Sequence, residues 1–176
     1  VADGIDVAIR IGRLGDSSLV ARRLATCRFA LCAAPDYLQR VGRPVVPEDL
    51  AQHACIVDRN TPRTWEIQSG SGLHRIVPEG PLHVNSAHAV RDAALAGMGI
   101  ALAPTFVAGR SLASGELVEV LPECTIPDSA VYAVYPPTRQ LSTKVRVFVD
   151  HVLEHIGDPP AWDRWKASGA IQRSAT

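Results

Sequence analysis

Short strand-like runs alternate with helical segments along the whole chain, and that alternation restricts the fold more than any other feature. Ile5, Val7, Ile9 and Ile11 share one parity, the period of a strand with one buried face. Residues 19–32 read as extended. Pro35 then opens a short helix over 35–41 that Gly42 and Pro44 end, and Pro47 opens another over 47–50. Residues 54–57 read as a buried strand and 82–84 as a short one. Between them, runs at 65–68 and 73–77 flank Ser69-Gly70-Ser71-Gly72, a hairpin signal. Asn85-Ser86 starts a helix over 87–96, with Ala87, Val90 and Ala94 on one stripe, which Gly97 stops. A strand at 100–103 ends at Pro104, and a helix over 105–112 ends at Ser114-Gly115. Strands follow at 117–121 and 130–135. The last helix starts from Ser142, carries Val145, Phe148, Val149, Val152 and Ile156 on one face, and stops at Gly157. Strands and helices interleaved at these lengths predict an α/β layered sheet.

The 176 residues suit one domain or two small lobes. Lys+Arg and Asp+Glu both total 18, so the basic excess of a dedicated nucleic-acid-binding domain is absent. No apolar run approaches the roughly 18 residues of a membrane span. Lys144 and Lys166 are the only lysines, which leaves few candidates for amine chemistry. Cys27, Cys32, Cys55 and Cys124 form no C-x-x-C pair and no zinc spacing; the first three sit among apolar residues and read as core. That usage points to a reducing, cytoplasmic compartment. The chain starts at Val1, which is read as a cut inside a larger protein or a misplaced start.

Asp6-Val7-Ala8-Ile9-Arg10-Ile11-Gly12, then Asp16-Ser17-Ser18-Leu19, then Ala33-Ala34-Pro35-Asp36-Tyr37-Leu38 make an ordered series. It continues through Gly42-x-Pro44-x-x-Pro47-x-Asp49-Leu50, Asn85-Ser86, and residues 93–101 (Ala-Ala-Leu-Ala-Gly-Met-Gly-Ile-Ala). It ends with Gly115-Glu116-Leu117-Val118, Leu121-Pro122 and Tyr132-Ala133-Val134-Tyr135-Pro136. The series resembles the effector-binding domain of LysR-type transcriptional regulators over about residues 1–156. The resemblance implies a periplasmic-binding-protein-like α/β fold: two α/β lobes joined by two crossover strands, with a small effector in the cleft. One lobe is then 1–33 plus 136–156, the other 34–135, and 157–176 is a tail. In that family effector binding shifts the lobes and reorients an N-terminal winged helix-turn-helix on DNA. Here the winged helix-turn-helix and the first strand and helix of the effector domain are missing, so the first lobe is incomplete. Any DNA contact would come only through the absent part. A homodimer is expected.

Three places stand out as effector contacts. The Asn85-Ser86 helix start offers free N–H groups and a favourable dipole for an anion, and the family pocket uses this place; either side chain can instead simply cap the helix. Arg10, Ile11 and Gly12 end the first strand, where α/β clefts form; Arg10 can meet a carboxylate or pair with Asp6 or Asp16. Ala103, Pro104 and Thr105 end another strand; Thr105 is a hydroxyl contact or merely a helix start. His88 lies in the first turn after Ser86. Gly97-Met98-Gly99 follows a helix, so it reads as a C-cap and not a dinucleotide loop. His151 and His155 have metal-chelating spacing but also suit a solvated helix end. The tail tryptophans, Trp162 and Trp165, suit a short docking helix or a loose end. No metal and no cofactor is expected.

These observations favour a non-enzymatic effector-sensing domain of a LysR-type regulator that takes a small molecule, with a carboxylate favoured by charge. The alternative is a solute-binding protein of the same fold serving a transporter. An enzyme would need a nucleophile–base pair, and none stands out in the sequence.

Overall fold

The computed structural model describes residues 4–12, 18–137, 142–157 and 159–164. Asp16, Ser17, Trp165 and Lys166 lie outside them. The described residues fall into two compact units, one drawn from those up to Cys27 and from Asp128 to Arg164, the other from Arg28 to Pro127.

The first unit is a three-stranded antiparallel sheet and one helix. β1 (Ala8–Ile11) pairs with β10 (Ser129–Tyr135), which pairs with β2 (Val20–Cys27) across a bulge between Val131 and Tyr132. The helix α4 (Thr143–Ile156) packs on β2 through the buried Val145 and Val149. Two ion pairs hold it, Arg22 to Asp150 at 3.3 Å and Lys144 to Asp6 at 2.6 Å. The structure departs from the helical periodicity at Phe148, which is 41 % exposed, because the face that meets the sheet is only as wide as Val145 and Val149. Ser142 occupies the N-cap position without a side-chain bond. Ile9 and Ile11 are also about half exposed, at 48 % and 47 %, so the face they share is only partly covered by the described residues. Beyond α4, Ala161–Asp163 is one short helical turn with Asp163 buried.

The second unit is built on a five-stranded sheet in the order β7-β4-β8-β3-β9. Its strands are β3 (Phe29–Ala33), β4 (Cys55–Asp58), β7 (Leu82–Val84), β8 (Ile100–Pro104) and β9 (Val118–Glu119). β4 runs parallel to β7 and β8, and β3 is antiparallel to β8 and β9. Alternation sorts the side chains. Leu31, Ala33, Cys55 and Ile100 face one core with Tyr37 and Leu38 of α1 (Pro35–Val41) and Trp65 and Ile67. Cys32, Ile56, Ala101 and Ala103 face the other, with Val90, Ala93 and Ala94 of α2 (Ala87–Leu95) and Ala108 of α3 (Thr105–Ser114). Alanine on both sides of that second core lets the helices lie close to the sheet.

Local signals act as the sequence implies. Pro35 opens α1 and Gly42 ends it. Pro47–Gln52 is a 3-10 turn, tighter than the helix expected. β5 (Trp65–Ser69) and β6 (Gly72–Ile76) form the hairpin. Gly115, at φ +80°, closes α3. The strand expected at 117–121 shrinks to β9, because Leu117, Val120 and Leu121 turn into the cores instead of continuing the ladder. β3 joins the second sheet and β10 the first. The units divide at Cys27/Arg28 and Pro127/Asp128.

The cysteines are unbridged, with Cys27, Cys32 and Cys55 buried. Burial raises their thiol pKa values to about 11, 12 and 11; nearby Asp163 and Asp128 add to this at Cys27 and Glu119 at Cys32. A thiol raised in this way stays protonated in the fold after its unfolded counterpart has ionised. Its stabilisation is therefore complete below pH 9.0 and is lost as pH climbs toward 11–12. Dithionitrobenzoate at about pH 8 is expected to reach at most Cys124 in the native chain and every cysteine in denaturant. Rapid native labelling of Cys32 would contradict this packing. Gly80→Ala tests the backbone: a Cβ there would collide with the Cys55 carbonyl oxygen. It is expected to cost more than about 2 kcal/mol, a fall in Tm of about 4–8 °C in a chain of this size.

Candidate functional site

Because β4, β7 and β8 are parallel, their carboxyl ends, Asp58, Val84 and Pro104, reach the same edge of the second unit's sheet. Loops beyond such an edge are where α/β sheets place ligands. Three segments gather there: Arg59-Asn60-Thr61, Asn85-Ser86 and Thr105. The first two are tied together. Arg59 N–H donates to Val84 O at 2.7 Å, and Asn60 Nδ2 donates to Asn85 O at 2.6 Å.

Asn85 is exposed and Ser86 half-buried at the start of α2. The structure corrects the capping expectation. Ser86 has the extended backbone of an N-cap residue, φ −146°, but no side chain caps the helix. The first-turn N–H groups, the Ser86 hydroxyl and the Asn85 amide thus remain available at one spot, at the positive end of the helix dipole. His88 is exposed in that same turn.

The segment 103–105 is buried. Ala103 and Thr105 are fully buried and Pro104 is buried. Thr105 N–H and Oγ1 both point at Arg28 O, at 2.9 and 3.3 Å, so its hydroxyl is already engaged. Pro104 serves as the N-cap residue of α3. In the first unit, Arg10 is exposed at the end of β1 and, among the described residues, makes no ion pair; Asp6 is held by Lys144. Gly12 has φ +112° and donates its N–H to Ala130 O at 3.1 Å, a turn that favours glycine. Arg10, Ile11 and Gly12 belong to the first unit, Asn85, Ser86 and 103–105 to the second.

Gly97-Met98-Gly99 is a helix C-cap. Gly97 has φ +70°, Gly97 and Met98 N–H bond to Ala94 and Ala93 O, and Arg40 Nη2 donates to Gly97 O at 2.9 Å. His151 and His155 stack at 3.9 Å, with His155 Nδ1 2.8 Å from His151 O. Among the described residues no group of three His, Cys, Asp or Glu side chains is arranged to hold a metal, and no helix is long and apolar enough to cross a membrane. One constellation escaped the sequence. Ser69 Oγ lies 2.7 Å and Ser71 Oγ 3.1 Å from His74 Nε2, while His74 Nδ1 lies 2.6 Å from Glu48 Oε1. The order hydroxyl–imidazole–carboxylate is that of a nucleophilic site, but Ser69 Oγ already accepts from Ser71 N–H, and the carboxylate is largely exposed. The set fastens the hairpin to the 3-10 turn. Glu48 lies 26 residues from His74, too far for any motif to reveal.

Comparison with known proteins decides between the two functional readings. Residues 1–157 match the LysR substrate binding domain. The chain belongs to that family. It is 34% identical over 162 residues to the HTH-type transcriptional regulator PtxR of Pseudomonas aeruginosa, covering 91% of this chain and 52% of that one. It is 37% identical over 161 residues to the HTH-type transcriptional regulator DmlR of Escherichia coli, covering 90% and 52%. The chain therefore spans about half the length of these relatives. Among solved structures, the regulatory domain of CrgA from Neisseria meningitidis superposes with a TM-score of 0.78 at 30% identity, over 87% of this chain and 76% of that one. Full-length AphB of Vibrio cholerae superposes with a TM-score of 0.75 at 29% identity, over 88% and 55%. The fold is the periplasmic-binding-protein-like α/β fold of LysR regulatory domains. Its relatives are transcriptional regulators and not transport proteins, which sets the solute-binding alternative aside.

With no cap bond to lose, Ser86→Ala is expected to change stability by under about 0.5 kcal/mol, where removing a working cap costs about 1 kcal/mol. Urea denaturation of both proteins measures the difference. A loss near 1 kcal/mol would restore the capping role.

Proposed function

We propose that this LysR substrate-binding domain senses a small carboxylate effector anchored at the Asn85-Ser86 turn. The observation that carries the reading is the uncapped start of α2, where N–H donors, a hydroxyl and an amide lie unused beside a helix dipole that favours an anion. Ala103, Pro104 and Thr105 hold the edge in shape behind that turn. Arg10, Ile11 and Gly12 are kept as proposed effector contacts on the family resemblance and on Arg10 having no ionic partner among the described residues. The domain performs no chemistry on the effector. In the whole regulator, a cytoplasmic homodimer, effector binding changes the population of two arrangements, and a winged helix-turn-helix outside this chain reads that change on DNA. DNA contact belongs to that segment, consistent with the balance of 18 basic and 18 acidic residues here.

A thermal melt of the chain against a panel of small organic acids tests the proposal. A matching acid at about 100 times its Kd adds about 2.7 kcal/mol, or about 5–10 °C in Tm for a chain of this size. The shift is expected to shrink in Asn85→Ala/Ser86→Ala and in Arg10→Gln. A panel that moves nothing, or a shift that the Asn85→Ala/Ser86→Ala variant retains in full, would count against the site.

A further inference from the structure

We propose that the second unit carries another ligand site, a pocket for an apolar α-amino or α-hydroxy acid whose carboxylate rests on Arg59 and Arg63. A cavity of about 620 Å³ opens beside β4 and β7, inside the size range of small-molecule pockets. Asp58, Arg59, Thr61, Arg63, Glu79 and His83 supply its polar lining, and Val57 and Val77 part of its apolar lining.

The pocket is not the Asn85-Ser86 site. Ile56, Leu82 and Val84 pack with α2, so the alternate side chains, Val57 and His83, point to the opposite face of the sheet. The cavity therefore opens on the face turned away from α2.

Both walls are built in advance. On one side Asp58 is buried; its Oδ1 accepts Asn60 N–H at 2.9 Å, and its carbonyl accepts Thr61 N–H and Oγ1 at 3.2 and 2.9 Å. Arg59 is itself pinned through its N–H to Val84 O. On the other side Glu79 O accepts Cys55 N–H at 2.8 Å, and Gly80 lies too close to the Cys55 backbone for any side chain. A site fixed before binding loses less ordering entropy when a ligand arrives.

The charges are unspent. Among the described residues the Arg59 and Arg63 guanidinium groups make neither hydrogen bond nor ion pair, as holds too for Arg10, Arg43, Arg110 and Arg146; what sets Arg59 and Arg63 apart is that both line this cavity. A guanidinium fork matches a carboxylate in two-bond fashion. The Glu79 carboxylate is likewise unpaired among them, and an acceptor of that kind calls for an ammonium or hydroxyl on the same ligand. Val57 and Val77 then meet an apolar side chain. A simple anion would leave Glu79 facing like charge.

Calorimetric titration of the chain with leucine, with its hydroxy analogue leucic acid and with isocaproate, which lacks the donor, tests this. At least one of the first two is expected to saturate, and isocaproate to bind about tenfold or more weakly. Arg59→Gln/Arg63→Gln is expected to weaken binding about tenfold or more while melting with the parent, since both residues are exposed. Glu79→Gln should narrow the gap between leucine and isocaproate. Asn85→Ala/Ser86→Ala should leave this binding intact, which separates it from the effector site. The proposal is overturned by no saturation with either acid up to about 10 mM. It is equally overturned by isocaproate matching them, by full affinity in Arg59→Gln/Arg63→Gln, or by loss of binding in the Asn85→Ala/Ser86→Ala variant.

Discussion

The period-two sorting of β3, β4 and β8 is the constraint on which the second unit depends. Ile100, Ala101, Leu102 and Ala103 send successive side chains to opposite cores, and Leu31-Cys32-Ala33 and Cys55-Ile56 do the same beside them. A one-residue slip would exchange the two sets, pushing Ile100 toward closely packed alanines and leaving a void on the other side. Fully burying a side chain the size of Ile100 contributes about 1.5–3 kcal/mol, so the register is held firmly. Once it is set, the parallel strands end at one edge, and the loops that follow them have no choice but to meet.

That edge separates two kinds of residue that look alike in the sequence. Thr105 and Ser86 are both hydroxyl residues beside a helix start. Thr105 is fully buried and spends its donors on Arg28 O, which closes the chain entering β3 against the chain leaving β8. Ser86 is half-buried and makes no cap bond, so its hydroxyl is unspent in the fold. The distinction follows from position in the sheet. β8 is flanked on both sides by strands, whereas β7 is at the edge, and the turn beyond it has fewer neighbours to satisfy it. Polar groups left unmatched at an otherwise well-bonded edge are what a small-molecule site requires.

Much of the architecture was legible locally. Pro35, Gly42, Gly97 and Gly115 mark helix ends through backbone geometry that neighbours hardly alter. Misreadings arose where packing overrides pattern. Ile9 and Ile11 alternate as buried residues do but are half exposed; Phe148 lies on the apolar face of α4 but outside its contact with the sheet. Residues 117–121 are apolar enough for a strand, yet the cores draw them inward after two ladder residues.

By itself the sequence determined the α/β class, the order of the elements, the family and the stretch that starts α2, because turn chemistry, periodicity and an ordered motif series are local properties. Tertiary structure alone decided which polar groups are spent and which are free. Asp6 goes to Lys144 and leaves Arg10 without an ionic partner among the described residues. Glu48 reaches His74 across 26 residues, and Arg59 and Arg63 come to share a cavity with Glu79 and His83. The reason is physical: hydrogen bonds and ion pairs act over about 3–4 Å in space, and distance along the chain does not report separation in space.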